Sequence, residues 1–389
     1  MNSLQEQLLC KLSGNRKVHI ALVGGQIAPV YNAIVATSPQ LIEVVFSEQT
    51  AADIDILKNE LLIPIVESSP LSTTNPHKIL NRAKDLANKY SEDDIVLNIT
   101  SGPKSWSYLF GLVFQPLKNV HVVYIDQNNV LWDYKDMSGN LDFKFDMRTQ
   151  FRLYKNPLMQ YTPITDYTES DDCVALQIEK LRKSFPEQFN NLFLVTNKIE
   201  KQNLTRKVGE RKTYDGSKVV WDKSAKIQDG DTIMTVTIAT KGTPVEITLQ
   251  SPHVFELIFN AGWFAYKIAK LFTRWEKSKE VLLNCSFPAR NNAPKNEVDV
   301  IVNAGSKIIF VECKTQISSI TDIDKFRSVV KNYGGMGSKG IFFTDSIKKP
   351  HAKEKCIQNG LIDVSFSEDF EEEKFFKMLS KELIQLNTK

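Results

Sequence analysis

Residues 296–315, "NEVDVIVNAGSKIIFVECKT", decide the reading of this chain. Two β-type runs, 298–302 and 307–313, flank the turn Asn303-Ala304-Gly305-Ser306. Both are apolar enough to be buried, yet they carry Asp299, Glu312 and Lys314. On a strand, residues two apart share a face, so Glu312 and Lys314 project together while Val311 and Cys313 point into the core. Asp299, on the preceding strand of the hairpin, falls beside Glu312 across the ladder. Two carboxylates this close repel, and burying either alone is expensive. A divalent cation removes both problems, and hard oxygen ligands suit Mg²⁺ or Mn²⁺. Such an ion stabilises charge on a pentacovalent phosphorus and acidifies its bound water. Lys314 could then orient or deprotonate that water, or neutralise the phosphorane. The alternative is a solvated salt bridge at a sheet edge.

Upstream, a helical pattern runs from His253. Glu256, Asn260, Trp263, Lys267, Lys270 and Arg274 share a narrow arc at 100° per residue in an otherwise apolar stretch. One reading sets Glu256 at the metal, the cations along a nucleic-acid backbone, and Trp263 against a base. The other makes Glu256 a helix-start acid, the cations a solvated face and Trp263 core. Residues 267–295 hold seven Lys/Arg against two Glu, a local excess suited to a polyanion in a chain whose net charge is only +3. Downstream, Tyr333 and the loop Gly334-Gly335-Met336-Gly337-Ser338-Lys339 read either as a phosphate cradle or as a connector.

The first third has another character. Strand-like runs at 18–23, 41–46, 95–99, 120–126 and 130–134 alternate with helical patterns at 28–37, 51–61, 77–90 and 104–113. That alternation predicts a Rossmann-like parallel sheet flanked by helices. Such sheets bind ligands beyond the C-terminal ends of their strands, where two loops stand out. "LVGGQIAPV" carries Gly24, Gly25 and Gln26; "LNITSGPKSWS" carries Thr100, Ser101, Gly102, Lys104 and Ser105 before a helix N-terminus. Neither matches GxGxxG, so a nicotinamide enzyme is excluded.

At 389 residues the chain exceeds one ordinary core. The predicted order is α/β throughout: a Rossmann-like domain over 1–150, a linker (137–163) and small β-rich connector over 151–250, then an α/β domain over 251–389. Five scattered cysteines without a CxxC pair argue for reduced thiols in a cytoplasmic protein and against structural zinc. An amphipathic helix is expected at 4–12, and no membrane span is expected.

Helix-Glu, then Asp, then Glu-x-Lys on successive elements resembles the PD-(D/E)xK nuclease superfamily, also called restriction-endonuclease-like, over about 251–389. Val298 stands where the family name has proline. Residues 1–150 resemble the CRISPR-associated Rossmann-fold (CARF) domain, centred on Thr100 to Lys104; Ser101 and Pro103 depart from its Thr-Gly-Gly-Thr-Lys pattern. Together they are similar to the CRISPR ancillary nucleases of type III antiviral systems. The resemblance implies a homodimer that binds the second messenger cyclic tetra-adenylate across its two-fold axis. It also implies that the activated enzyme cuts single-stranded RNA, DNA or both with Mn²⁺ or Mg²⁺. Carried over, Asp299, Glu312, Lys314 and Glu256 are catalytic, the three acids being metal ligands. Gly24, Gly25, Gln26, Ser47, Thr100, Ser101, Gly102, Lys104 and Ser105 are the nucleotide candidates. A stand-alone restriction or resolvase-type DNA nuclease, and a nucleotide-responsive binding protein without catalysis, remain as alternatives.

Overall fold

The computed structural model describes residues 15–127, 129–140, 146–195, 198–224, 232–288, 296–305, 307–315, 320–334, 338–345, 350–366 and 369–385. The expected helix at 4–12 lies outside them. The chain divides between Leu158 and Met159 into two compact units.

The first unit is built on β1 (Lys17–Leu22), α1 (Ile27–Thr37), β2 (Leu41–Val45), α2 (Ala51–Glu60), β3 (Ile65–Glu67), α3 (Pro76–Lys89), β4 (Asp94–Asn98) and α4 (Lys104–Phe114). It continues through β5 (Val120–Ile125), β6 (Leu131–Asp133), β7 (Ser138–Asn140) and α5 (Met147–Leu153). The sheet order is β3-β2-β1-β4-β5-β6-β7, with the first five strands parallel and the last two antiparallel. The central strands read as unbroken apolar runs because helices cover both faces. Val18, Ile20 and Leu22 pack against Trp106, Phe110 and Phe114 of α4, while Ala21 packs with Ile34 of α1 and Ile54 of α2. The expected linker at 137–163 is corrected: it holds β7, α5 and β8 (Gln160–Pro163). Phe151 of α5 is fully buried and the Asp146 carboxylate caps the N–H groups of Arg148 and Thr149. Elements this short repeat their hydrophobic period too few times for it to stand out, which is why β3 was missed as well.

The second unit opens with β8 and continues through α6 (Glu169–Ser184), α7 (Pro186–Phe193), α8 (Lys198–Asn203), β9 (Val208–Lys212), β10 (Lys218–Asp222), β11 (Thr232–Ile238) and β12 (Val245–Ser251). Then come α9 (Val254–Ile258), α10 (Gly262–Thr273), β13 (Glu280–Phe287), β14 (Asn296–Asn303), β15 (Ile308–Lys314) and α11 (Ile320–Tyr333). The last elements are β16 (Lys339–Thr344), α12 (Pro350–Gln358), β17 (Ile362–Ser365) and α13 (Glu372–Gln385). Strands β12-β11-β10-β9 form an antiparallel sheet, and β17-β16-β15-β14-β13-β8 a mixed one in which only β15, β16 and β17 run parallel. The region read as a connector shares one core with the rest: Ile178, Trp221 and Met234 join Phe264, Ile268, Val300 and Val311.

The continuous helix expected from His253 is also corrected. Asn260 and Ala261 are left-handed, with φ of 53° and 63°, and separate α9 from α10. A Cβ on Gly262 would lie 1.9 Å from the Glu256 carbonyl oxygen, so the close return of the chain requires glycine there. The start of α9 is fastened to α6. The buried Asp171 carboxylate accepts from His253 N–H and lies 3.0 Å from His253 Nδ1.

That pair has a pH signature. Its hydrogen bonds, with His253 first among them, hold the Asp171 carboxyl down at about 2 against the penalty of burial. The same bond raises His253 above its ordinary 6.5. Asp171 therefore stabilises the fold above pH ~4 and loses that contribution as pH falls toward 2. His253 contributes fully below pH ~6.5 and its share fades as pH rises through the elevated value. His253→Ala is expected to cost about 1.5–3 kcal/mol at pH 5.5 and less at pH 9, measured by thermal unfolding at both.

Candidate active site and ligand loops

The β14–β15 register pairs Val300 with Val311, which sets Asp299 directly opposite Glu312. Lys314 Nζ lies 2.5 Å from Glu312 Oε1 and 4.0 Å from Asp299 Oδ2. Asp299 Oδ2 also accepts the Cys313 N–H at 2.7 Å. The structure thus brings together the three residues that the hairpin pattern singled out. Burial, and then the charge of Asp299, push the Glu312 carboxyl up to about 8 against the pull of Lys314. Burial works against the Lys314 charge, but Asp299 and Glu312 outweigh it and hold this lysine above its ordinary value. A divalent ion fits this donor set. Lys314 occupies one Glu312 oxygen and the Cys313 N–H one Asp299 oxygen, so among the described residues Oε2 and Oδ1 remain to ligate a cation that would offset their repulsion.

No described contact joins Glu256 to this cluster directly, although Tyr167, which feels its charge, bonds Asn284. It is exposed on α9, and the groups that feel its charge are Tyr167, Lys223 and His253. The third acid acting on Glu312 is instead Asp322, in the first turn of α11. Asn284 is a further residue that the sequence did not flag. Leu283 pairs with Val300 and Cys285 with Val298, so Asn284 faces Asp299 from β13. It is exposed and left-handed, with φ 51°, a conformation asparagine tolerates better than most residues. A polar residue inside "VLLNCSF" was the available signal.

The cationic arc does not survive as a free basic track. Lys267 pairs with Glu179 at 2.9 Å, Lys270 with Asp172 at 3.0 Å, and Arg274 grips Glu372 through two bonds of 2.8 and 2.7 Å. Trp263 is 2% exposed under the Arg182 guanidinium, 5.0 Å from its ring centre, and so is core rather than a stacking platform. Tyr333 is likewise buried, stacked on Phe287 at 4.1 Å. Lys339 Nζ pairs with Glu382 at 3.5 Å. Residues 335–337 of the glycine loop and 289–295 of the basic segment lie outside the described residues.

In the first unit, the two loops interlock. Ser101 Oγ donates to the Gln26 carbonyl at 2.6 Å and accepts the Gln26 N–H at 3.2 Å. A Cβ on Gly24 would fall 1.7 Å from the Ser101 carbonyl oxygen, and one on Gly102 2.8 Å from Leu22 Cβ. Thr100 Oγ1 donates to Asn98 Oδ1 at 2.6 Å and accepts the Ile125 N–H at 2.9 Å. Ser105 Oγ donates to the Thr73 carbonyl at 2.9 Å, and Ser47 caps the turn at Thr50. Most of these hydroxyls are thus committed to loop geometry. Gly25, Gln26 and Lys104 present exposed surface. Among the described residues no carboxylate pairs with Lys104. Beside Ser47 lies a cavity of roughly 640 Å³ bounded by Ser69, Thr73, Lys78, Asn81 and Arg82. The hydroxyl-rich run "SSPLSTTNP", residues 68–76, was the sequence signal for it.

No protein-family model matches this chain, and no curated protein matches it in sequence. Solved structures do match it in fold. Can2 from Sulfobacillus thermosulfidooxidans, determined in complex with cyclic tetra-adenylate, superposes with a TM-score of 0.62 at 15% identity, over 94% of this chain and 99% of that one. The chain shares the fold of Can2. Protein VC1899 from Vibrio cholerae agrees at TM-score 0.64 and 13% identity, over 95% and 97% of the two chains. A type III CRISPR defence DNA nuclease activated by cyclic oligoadenylate agrees at 0.55 and 11%; the match covers 97% of this chain and 55% of that one. The expected α/β class, with a mainly parallel sheet in the first unit and further sheets in the second, is the observed one.

Proposed function

We propose that this chain is a cyclic tetra-adenylate-activated, metal-dependent endonuclease that cuts single-stranded RNA, DNA or both in type III CRISPR defence, working as a cytoplasmic homodimer. The observation that carries the reading is the Asp299–Glu312–Lys314 cluster on adjacent strands of a fold shared with cyclic-oligoadenylate-dependent proteins. Asp299 and Glu312 hold the Mn²⁺ or Mg²⁺, with Asp322 and Glu256 as the further acids. The bound ion supplies an acidified water and charge stabilisation at phosphorus. Lys314, hydrogen bonded to Glu312, acts as a donor that orients the water and neutralises charge on the phosphorane. Asn284, at the β13 position opposite Asp299, bonds the Tyr167 hydroxyl and so ties that phenol to the edge of the site.

In the sensor, the locked loops around Gly24 and Ser101 form a rigid platform, and Gly25, Gln26 and Lys104 meet the nucleotide. Lys104 sits at the start of α4, where helix dipole and ammonium together favour a phosphate. Lys104→Ala is expected to raise the activator concentration for half-maximal cleavage by roughly tenfold, the worth of one charge-assisted hydrogen bond, with the saturated rate unchanged.

The deciding experiment is cleavage of fluorescent single-stranded RNA and DNA with Mn²⁺, with and without cyclic tetra-adenylate. Cleavage only with the nucleotide supports the reading and identifies the substrate. Equal cleavage without it makes the chain a stand-alone nuclease, and no cleavage under any condition overturns the assignment.

A further inference from the structure

The N-terminal ends of the sheet strands in the first unit, opposite the ligand loops, hold a second group of metal-type donors. His121 on β5 places Nδ1 2.6 Å from Asp133 Oδ2 on β6. Asp136, in the turn after β6, completes a set whose donor atoms all lie within 4.8 Å of one another. Asp133 Oδ1 accepts the Lys135 N–H at 2.9 Å, and among the described residues Asp136 has no hydrogen bond or ion pair of its own, so an imidazole and two carboxylates converge. Thiols are absent from this set; a nitrogen and two carboxylate oxygens suit Zn²⁺ or Mn²⁺ and leave coordination positions open.

His121 and Asp133 also line a cavity of roughly 540 Å³, together with Lys17, Thr37, Asp94 and Ser138. A second, independent observation lies among the neighbours of that cavity. His19 pairs with Val96 in the β1–β4 register and Val96 with His121 in the β4–β5 register, so the three form one row on one face. Lys17 before His19, Val96 beside it and Thr37 bonded to it all line the cavity. His19 is fully buried, and among the described residues its Nε2 has no hydrogen-bond partner. Thr37 Oγ1 gives its proton to the Ala33 carbonyl at 2.9 Å and so accepts Nδ1–H from His19 at 2.8 Å. That tautomer leaves a bare nitrogen lone pair at Nε2, and burial, helped by Lys17, keeps the ring neutral. An unused acceptor inside a fold is costly unless a ligand or water reaches it.

We propose that His121, Asp133 and Asp136 bind a divalent transition-metal ion, separate from the nuclease centre, with its open positions toward the cavity that His121 and Asp133 line. The ion ties β5 to the β6–β7 hairpin at the antiparallel edge of the sensor sheet. Its existence does not depend on the function proposed above.

The test uses the full chain carrying Asp299→Asn and Glu312→Gln, which removes the nuclease donors. Zn²⁺ and Mn²⁺ binding are measured by calorimetry, Co²⁺ binding by absorption, and thermal unfolding is followed with and without metal. One ion per chain, a Co²⁺ spectrum free of thiolate charge-transfer bands, and a metal-dependent rise in unfolding temperature are expected. His121→Ala and Asp136→Asn should each weaken binding by about tenfold or more and erase the thermal shift. Asp136 lies in an exposed turn, so its substitution leaves folding intact. Absence of binding, binding unchanged in both variants, or a thiolate spectrum would each overturn the site.

Discussion

Glu312→Gln is expected to lower nucleotide-activated cleavage by on the order of 10³-fold or more, because the several kcal/mol supplied by a correctly held ion are lost with its ligand. The substitution keeps the shape of the side chain. It removes the charge that, with Asp299, makes the pocket attractive to a cation. It also relieves a crowded site, since Glu312 is buried against Asp299 and its only described cationic partner is Lys314. The metal-free variant should therefore fold at least as well as the parent, so lost activity cannot be blamed on unfolding. Nucleotide binding, measured by calorimetry on the same preparation, should be unchanged. If Glu312→Gln cleaves at the parent rate, the catalytic assignment is wrong, whatever the fold. Lys314→Ala is a different perturbation, because it leaves two facing carboxylates without their ammonium. Comparing the two variants across Mn²⁺ concentrations separates metal holding from donation by the lysine.

The sequence made the hairpin legible because a strand's period of two is strict. Once 298–302 and 307–313 read as core strands, Asp299 and Glu312 had to share a face, and the register bears this out. Four of the five parallel strands of the first unit were equally plain as apolar runs. What stayed hidden depends on chain returning from a distance. The break at Asn260 and Ala261 interrupts an apolar pattern that does not falter, because its cause is the approach of Gly262 to the Glu256 carbonyl. The cations of α10 looked free because Glu179 and Asp172 lie 88 and 98 residues before their partners, on α6. Asn284 acquires meaning only from its place opposite Asp299. Ser101 likewise read as a ligand hydroxyl, yet its oxygen closes a loop 75 residues distant. Periodicity shows which residues share an element, whereas polar pairing between elements has no local signature.

Gly24→Ala is the second large effect expected, and it tests the loop lock directly. The added carbon would sit 1.7 Å from the Ser101 carbonyl oxygen and 2.7 Å from its carbon, both backbone atoms that no rotamer change can clear. The β1–α1 and β4–α4 loops must separate, and the Ser101–Gln26 bonds break with them. Gly102, tight against Leu22, couples that movement to the end of β1. Overpacking of this kind costs about 1–3 kcal/mol, and a platform displaced by an ångström should lose activator affinity by roughly tenfold or more. Gly25→Ala is the matched control. A Cβ there meets nothing within 4 Å, so the same chemical change one residue along should leave the unfolding temperature unaltered. A loss of activator binding in Gly25→Ala without loss of stability would put the nucleotide against that position. Equal stability of Gly24→Ala and the parent would show that the two loops are not locked as described, and Lys104 would then lose its fixed platform.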